Sequence, residues 1–161
     1  MQSTRRLSVL CLAVVGLVFV GCRSMAAYDG LLDPVSHLGL QLDPCPQSPN
    51  CVSSQALEPK QKVEPFNFAG SAADALAALE ALVEADPAAT IVERRSGIYV
   101  RAEYRSRWLR FVDDLELLAD EEGGVIHVRA GARRGWSDFG VNRQRVDALH
   151  REFSKAILPI P

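Results

Sequence analysis

Apolar and polar positions follow two different rhythms beyond residue 70. Over 71–84, Leu76, Leu79, Leu82 and Val83 recur at the three- and four-residue intervals of a helix with one buried stripe. Gly70-Ser71 with Asp74 three residues on is a start of the capping-box type, with Asp in place of Glu. Asp86-Pro87 ends that helix, because the residue before a proline is pushed out of the α region. The period then falls to two. Residues 90–93 and 98–104 read as strands around the turn Arg95-Ser96-Gly97, with Ile98, Val100, Ala102 and Tyr104 opposite Tyr99, Arg101 and Glu103. A third strand over 108–118 places Leu109, Phe111, Asp113, Leu115 and Leu117 on one side and Arg110, Val112, Asp114 and Glu116 on the other. The acidic turn 119–124 leads to a returning strand over 125–130. The helical rhythm comes back over about 140–157, with Val146, Leu149, Phe153 and Ala156 or Ile157 in line and Asn142 a turn earlier on the same stripe. The pattern predicts an α+β single domain. It is a roughly four-stranded antiparallel meander with a helix before it and a C-terminal helix packed on one face.

The first 22 residues follow neither rhythm. Arg5 and Arg6 precede an apolar run over 7–20, which has the form of a secretory signal and is short for a membrane-spanning helix. The run ends in Phe19-Val20-Gly21-Cys22, which resembles the lipobox of bacterial lipoproteins, with Phe19 where Leu is commonest. That resemblance implies cleavage after residue 21 and acylation of Cys22. Arg23 lacks the acidic character that goes with inner-membrane retention, so the expected location is the outer membrane, facing the periplasm. An uncleaved signal anchor is the alternative. Residues 23–44 have no sustained period and carry Gly30, Pro34, Gly39 and Pro44, as a tether would, and a domain is expected over 45–161.

Export changes the meaning of the cysteines. Cys11 would leave with the signal and Cys22 would carry lipid, so Cys45 and Cys51 remain as a pair in an oxidising compartment. A disulfide is the expected state. The five-residue gap is longer than that of a redox Cys-x-x-Cys pair. His37, His127 and His150 are too scattered to complete a metal site, so neither a metal nor a cofactor is expected.

Beyond Cys22 the chain has 16 basic and 20 acidic residues, a net of about −4. Such a domain is poorly suited to nucleic acid, whose phosphates recruit cationic surfaces. The expected partner is the membrane through its lipid anchor, with a protein partner or a small anionic ligand left open. Asp113 draws attention because period two puts a carboxylate in the middle of an apolar face, where it needs donors. Residues 129–145 supply five arginines, three glycines and a helix start that Ser137 or Asp138 can cap. Free backbone N–H groups beside arginines are the physics of an anion site. Asp113, Asp114, Arg129, Arg133, Ser137, Asp138, Asn142 and Arg143 are therefore the candidate binding residues. The competing reading is structural: Arg129 or Arg133 neutralises Asp113 or Asp114, Asp138 caps the helix, and Asn142 holds the loop backbone. Catalysis is the weakest reading, since His127, Ser137 and Asp138 show no triad spacing and no base is assigned to Ser53 or Ser54.

Three ordered motifs carry a resemblance. They are Cys45-Pro46-x-Ser48-Pro49-Asn50-Cys51-Val52-Ser53-Ser54, then Phe111-Val112-Asp113-Asp114, then Arg129-x-x-x-Arg133-x-Gly135-Trp136-Ser137-Asp138-Phe139-Gly140-x-Asn142-Arg143-x-Arg145. Together they resemble the family called domain of unknown function 1499, from Cys45 to Phe153. Members occur in bacteria and plastids, often exported or membrane-attached, and no activity comes with the resemblance. This chain has Ala130, Gly131 and Ala132 where small hydroxylic residues are common, and Trp136 where Tyr is common. A ligand role for those hydroxyls is weakened accordingly. The non-enzymatic envelope module is the expected function, and a hydrolase or transferase acting on an anionic envelope metabolite is the alternative.

Overall fold

Six antiparallel strands and two helices make an α+β domain in the computed structural model, which describes residues 41–157. The signal segment, Cys22 and the tether residues before 41 lie outside the described residues. The strands are β1 (Cys51–Ser53), β2 (Phe66–Asn67), β3 (Ala89–Arg95), β4 (Tyr99–Arg105), β5 (Val112–Asp120) and β6 (Val125–Ala132). The helices are α1 (Ala72–Glu84) and α2 (Val141–Ile157). β3 to β6 form the expected meander, each paired with the next. The sheet extends one strand position further than four: β1 and β2 both pair with the free edge of β6. At three and two residues they are too short to display a period.

α1 begins as its sequence dictates, with Ser71 Oγ accepting the Asp74 N–H at 3.1 Å. Its first N–H, on Ala72, donates to Glu121 Oε2 at 2.9 Å and ties the helix start to the β5–β6 turn. Both helices lie on one face of the sheet. There Leu76, Leu79 and Val83 of α1 and Val146, Leu149 and Phe153 of α2 close over Val100, Ala102, Leu115, Leu117, Ile126, Val128 and Ala130. Phe66 is fully buried at the seam, stacked on His150 with ring centres 4.0 Å apart and edge-on to Phe153 at 5.6 Å.

The third strand starts four residues later than its alternation suggests. Residues 106–111 form a closed loop instead. Ser106 N–H donates to the Phe111 carbonyl, Phe111 N–H to Ser106 Oγ, and Arg110 turns with φ of 52°. Leu109 and Phe111, expected on the core face, are exposed as a result, together with Trp108.

The second face of the sheet is covered too, by the chain leading into β1. Leu42 packs on Tyr99 and Leu118, and Pro46 borders Asp114, Arg129 and Arg133. The Cys45–Cys51 disulfide, with Cα atoms 5.6 Å apart, pins this crossing to β1. It closes a short ring, so the chain-entropy contribution is about 2 kcal/mol. Gly131, paired with Cys51, leaves room for it: a Cβ there would stand 3.3 Å from Cys51 Sγ.

A two-residue strand thus carries a fully buried aromatic side chain. Phe66→Ala is expected to lower the free energy of unfolding by about 3–5 kcal/mol, the usual cost of removing a fully buried aromatic ring, as read by urea denaturation.

Candidate functional site

The sheet divides the candidate residues into two groups. Asp113 lies on the helix side, across from Tyr104 on β4, and Asp114 lies on the other. The two neighbours in sequence therefore belong to different networks.

On the side away from the helices, the directly opposed pair Glu116 and Arg129 forms a buried ion pair, Nη1 to Oε2 at 2.9 Å. Arg129 is 2% exposed. Glu116 Oε1 accepts the Tyr99 hydroxyl at 2.8 Å. Burial pushes the Glu116 carboxyl above its usual range despite the opposing charge of Arg129 and the Tyr99 hydrogen bond. Tyr99 is likewise pushed up, first by burial and then by the charge of Glu116. One strand pair along, Arg133 grips Asp114 through both oxygens, Nε to Oδ2 and Nη2 to Oδ1, each at 2.7 Å. Arg133 Nη2 also reaches Glu103 at 2.6 Å. The hydrogen bond to Asp114 raises the Arg133 guanidinium further still. Burial pushes Glu103 upward, but Arg133 and Arg105 together outweigh it and hold the carboxyl below its usual range. Arg101, between Asp114 at 3.4 Å and Glu93 at 3.5 Å, completes the row.

On the helix side, Asp113 pairs with Arg145 of α2 at 3.1 Å rather than with Arg129 or Arg133. Burial raises the Asp113 pKa and Arg145 opposes the shift. The Arg145 guanidinium lies 4.1 Å over the Tyr104 ring and donates to Asn142 Oδ1. Burial pushes Tyr104 up to about 12. Asp138 caps α2 twice, accepting the Gly140 and Asn142 N–H groups at 2.9 Å each. Asn142 is fully buried and donates to the Asn50 carbonyl at 3.3 Å. Asn50 in turn donates to the carbonyls of Ala132 and Gly135. This chain of bonds fixes the crossover from β6 to α2 against the disulfide loop. Arg143 reaches the carbonyls of Lys60 and Lys62, and Ser137 Oγ accepts only the Phe139 N–H, in an exposed turn.

The eight candidates accordingly do not converge on one pocket. Glu116, Tyr99, Glu103 and Arg101 are partners that the sequence pattern did not single out, and Asn50 and Arg145, present in the motifs, had no role assigned from the sequence. Alternation places Glu116 on the side opposite Asp113 but cannot say that this second side is covered.

A different trio does converge. Ser54 Oγ lies 3.2 Å from His127 Nδ1, and His127 Nε2 lies 3.7 Å from Asp120 Oδ2. The order is that of a serine hydrolase triad with the two ring nitrogens exchanged. Ser54, however, is 4% exposed, and its Oγ accepts the Val128 N–H at 3.0 Å. The large groove beside it is lined by Ser53, Gln55 and Gln61 and leaves Ser54 out. Among the described residues no group of three or more His, Cys, Asp or Glu side chains could hold a metal ion, and no helix is long and apolar enough to cross a membrane.

One sheet with helices on a single face and a charged network on the other defines the class of domain. The chain belongs to the family described as "Protein of unknown function (DUF1499)", whose model matches residues 41–153. No curated protein and no solved structure matches it.

Burial holds His127 below its usual value, with Lys62 adding to the effect and Asp120 opposing it. The unfolded chain therefore gains a proton near pH 6.5 before the folded one does. The stability this provides is present above that pH and is lost as the pH falls through it. The melting temperature should fall between about pH 7.5 and 5.5, and His127→Gln should flatten that part of the profile, as read by calorimetry in the two proteins.

Proposed function

We propose that the protein is an exported, lipid-anchored module of the cell envelope that works by binding rather than by catalysis. In this reading the arginine and carboxylate framework maintains the shape of the domain. The observation that carries it is the internal pairing of that framework, in which, among the described residues, Arg129 Nε and Arg101 Nε are the buried side-chain donors left without a hydrogen-bond partner. Arg129, Arg133 and Arg145 each face a carboxylate at 3.1 Å or less, Asp138 is used by the helix start, and Asn142 by the crossover loop. A small anion would have to displace these partners to reach the arginines, so the binding surface is better sought in the exposed loops. Attachment to the membrane, on the outer membrane's periplasmic side, is supported by the apolar run ending in Gly21-Cys22. Acyl chains contribute about 0.8 kcal/mol per buried methylene, enough for two or more to hold the domain without a protein partner.

The Ser54, His127 and Asp120 row favours the hydrolytic alternative, so the anchor and the serine are tested by separate experiments. Cys22→Ser should abolish incorporation of labelled palmitate and move the protein out of the membrane fraction. A fluorophosphonate probe should leave the parent unlabelled, and Ser54→Ala should lower the melting temperature as loss of a β6 anchor would. Labelling at Ser54 would establish an activated serine and contradict the non-enzymatic reading.

A further inference from the structure

Two loops leave the same end of the sheet side by side: residues 106–111 between β4 and β5, and 133–140 between β6 and α2. The Arg133 N–H donates to the carbonyl of Val112, the residue that follows Phe111, at 3.0 Å. Both loops push large apolar side chains into solvent. Trp108 is 86% exposed, Trp136 69% and Phe139 91%, with Leu109 and Phe111 also exposed. Among the described residues, the only non-glycine positions with positive φ are Arg110 at 52° and Phe139 at 55°, one in each loop. A strained backbone that turns apolar side chains outward needs a reason outside the folding of the domain.

The charge of this end differs from that of the chain as a whole. Residues 105–111 hold three arginines and no carboxylate, and 133–139 add Arg133 and Arg134 against Asp138 alone. Arg105 and Arg133 are neutralised by Glu103 and Asp114, and Asp138 is occupied by the helix start. Arg107, Arg110 and Arg134 remain as the net charge, with Arg107 lying against the Trp108 ring at 5.6 Å.

We infer that this end of the sheet is a membrane-docking tip that inserts its aromatic side chains at the headgroup level of an anionic bilayer. Tryptophan is the residue most at home at that depth, and arginine can hold its guanidinium among phosphates while its stem stays in apolar surroundings. Half of the N–H groups of the 106–111 loop are satisfied within it, which suits the partly hydrated headgroup level. Ser106 N–H, Phe111 N–H and Arg110 N–H all find acceptors inside the 106–111 loop, at 2.9, 2.9 and 3.1 Å. The surface consists of two protruding apices bearing cations, which matches the charge and softness of a lipid surface. The inference rests on the envelope reading only in placing a bilayer within reach. Cys22 and Gln41 are 19 positions apart in sequence, a separation that any chain of that length can bridge only up to roughly 65 Å, at ~3.4 Å per residue.

Both tryptophans of the chain lie on the tip, so its fluorescence reports on the tip alone. The test uses the full chain reconstituted in vesicles of phosphatidylcholine and phosphatidylglycerol whose acyl chains carry bromine near the headgroup. The expected result is strong quenching of both tryptophans, resolved with Trp108→Phe and Trp136→Phe. Quenching should weaken in pure phosphatidylcholine and at about 0.5 M salt, where the screening length is roughly 4 Å. Arg107→Gln and Arg110→Gln should each lower the docked-to-free ratio about fivefold. If acrylamide in the water quenches both tryptophans and the lipid bromines do not, the tip faces water and the inference falls. Protection from both quenchers would mean a protein surface covers the tip, and would overturn it equally. Incorporation of labelled palmitate into Cys22→Ser beside the parent tests the anchor separately: its outcome bears on acylation, and bromine quenching bears on the tip.

Discussion

The contact on which the rest of this fold depends is the buried pair of Arg129 and Glu116 beneath the N-terminal crossing. Two opposite charges taken out of water are stabilising only when their geometry is good and their remaining polar atoms are bonded. Here the second carboxylate oxygen is taken up by Tyr99, while Arg129 Nε has no partner among the described residues. Such a pair is a modest source of stability and a strong constraint on structure. Glu116 sits directly opposite Arg129, and Asp114 opposite Glu103 with Arg133 bridging both. A one-residue slip of β5 would move these carboxylates to the helix face and carry Leu115 and Leu117 away from it.

That constraint explains why the second face of the sheet has to be covered. A four-stranded meander with one solvated face would leave Asp114, Glu116 and Arg129 as ordinary surface charges of little consequence. The segment bearing Leu42 and Pro46, held by the disulfide and by Asn50, shields them instead. The candidate residues lie at the two ends of one arrangement. Asp114, Arg129 and Arg133 bind the sheet together below, while Asp138, Asn142 and Arg145 seat α2 above. At one end of the sheet a pair of loops, each with a positive-φ non-glycine residue, turns its aromatic side chains outward.

Much of this was legible in the residues. α1 and its cap, the buried stripe of α2 from Asn142 to Phe153 though not to the exposed Ala156, the meander, the disulfide and the odd placement of Asp113 all follow from local rules about period, capping and cysteine pairing. β1 and β2 were not legible, because two or three residues carry no period and their pairing with β6 is a long-range event. The start of β5 was misread because Trp108, Leu109 and Phe111 continue its alternation in composition, while the hydrogen bonds of Ser106 close a loop there. Arg145 was overlooked as the partner of Asp113 because the two lie 32 residues apart and meet only once α2 is laid across the sheet. The row of Ser54, His127 and Asp120 was hidden for the same reason.

The most direct test of the central claim is a double-mutant cycle on the buried pair, Glu116→Leu, Arg129→Met and the two combined, followed by urea unfolding. If the pair holds the sheet in register and serves no ligand, each single change should lower stability by about 3–5 kcal/mol by stranding the other charge, and the double variant should lose much less than the sum. Single variants as stable as the parent, or more stable, would contradict the account. They would mean that these charges are held in the fold for something they bind.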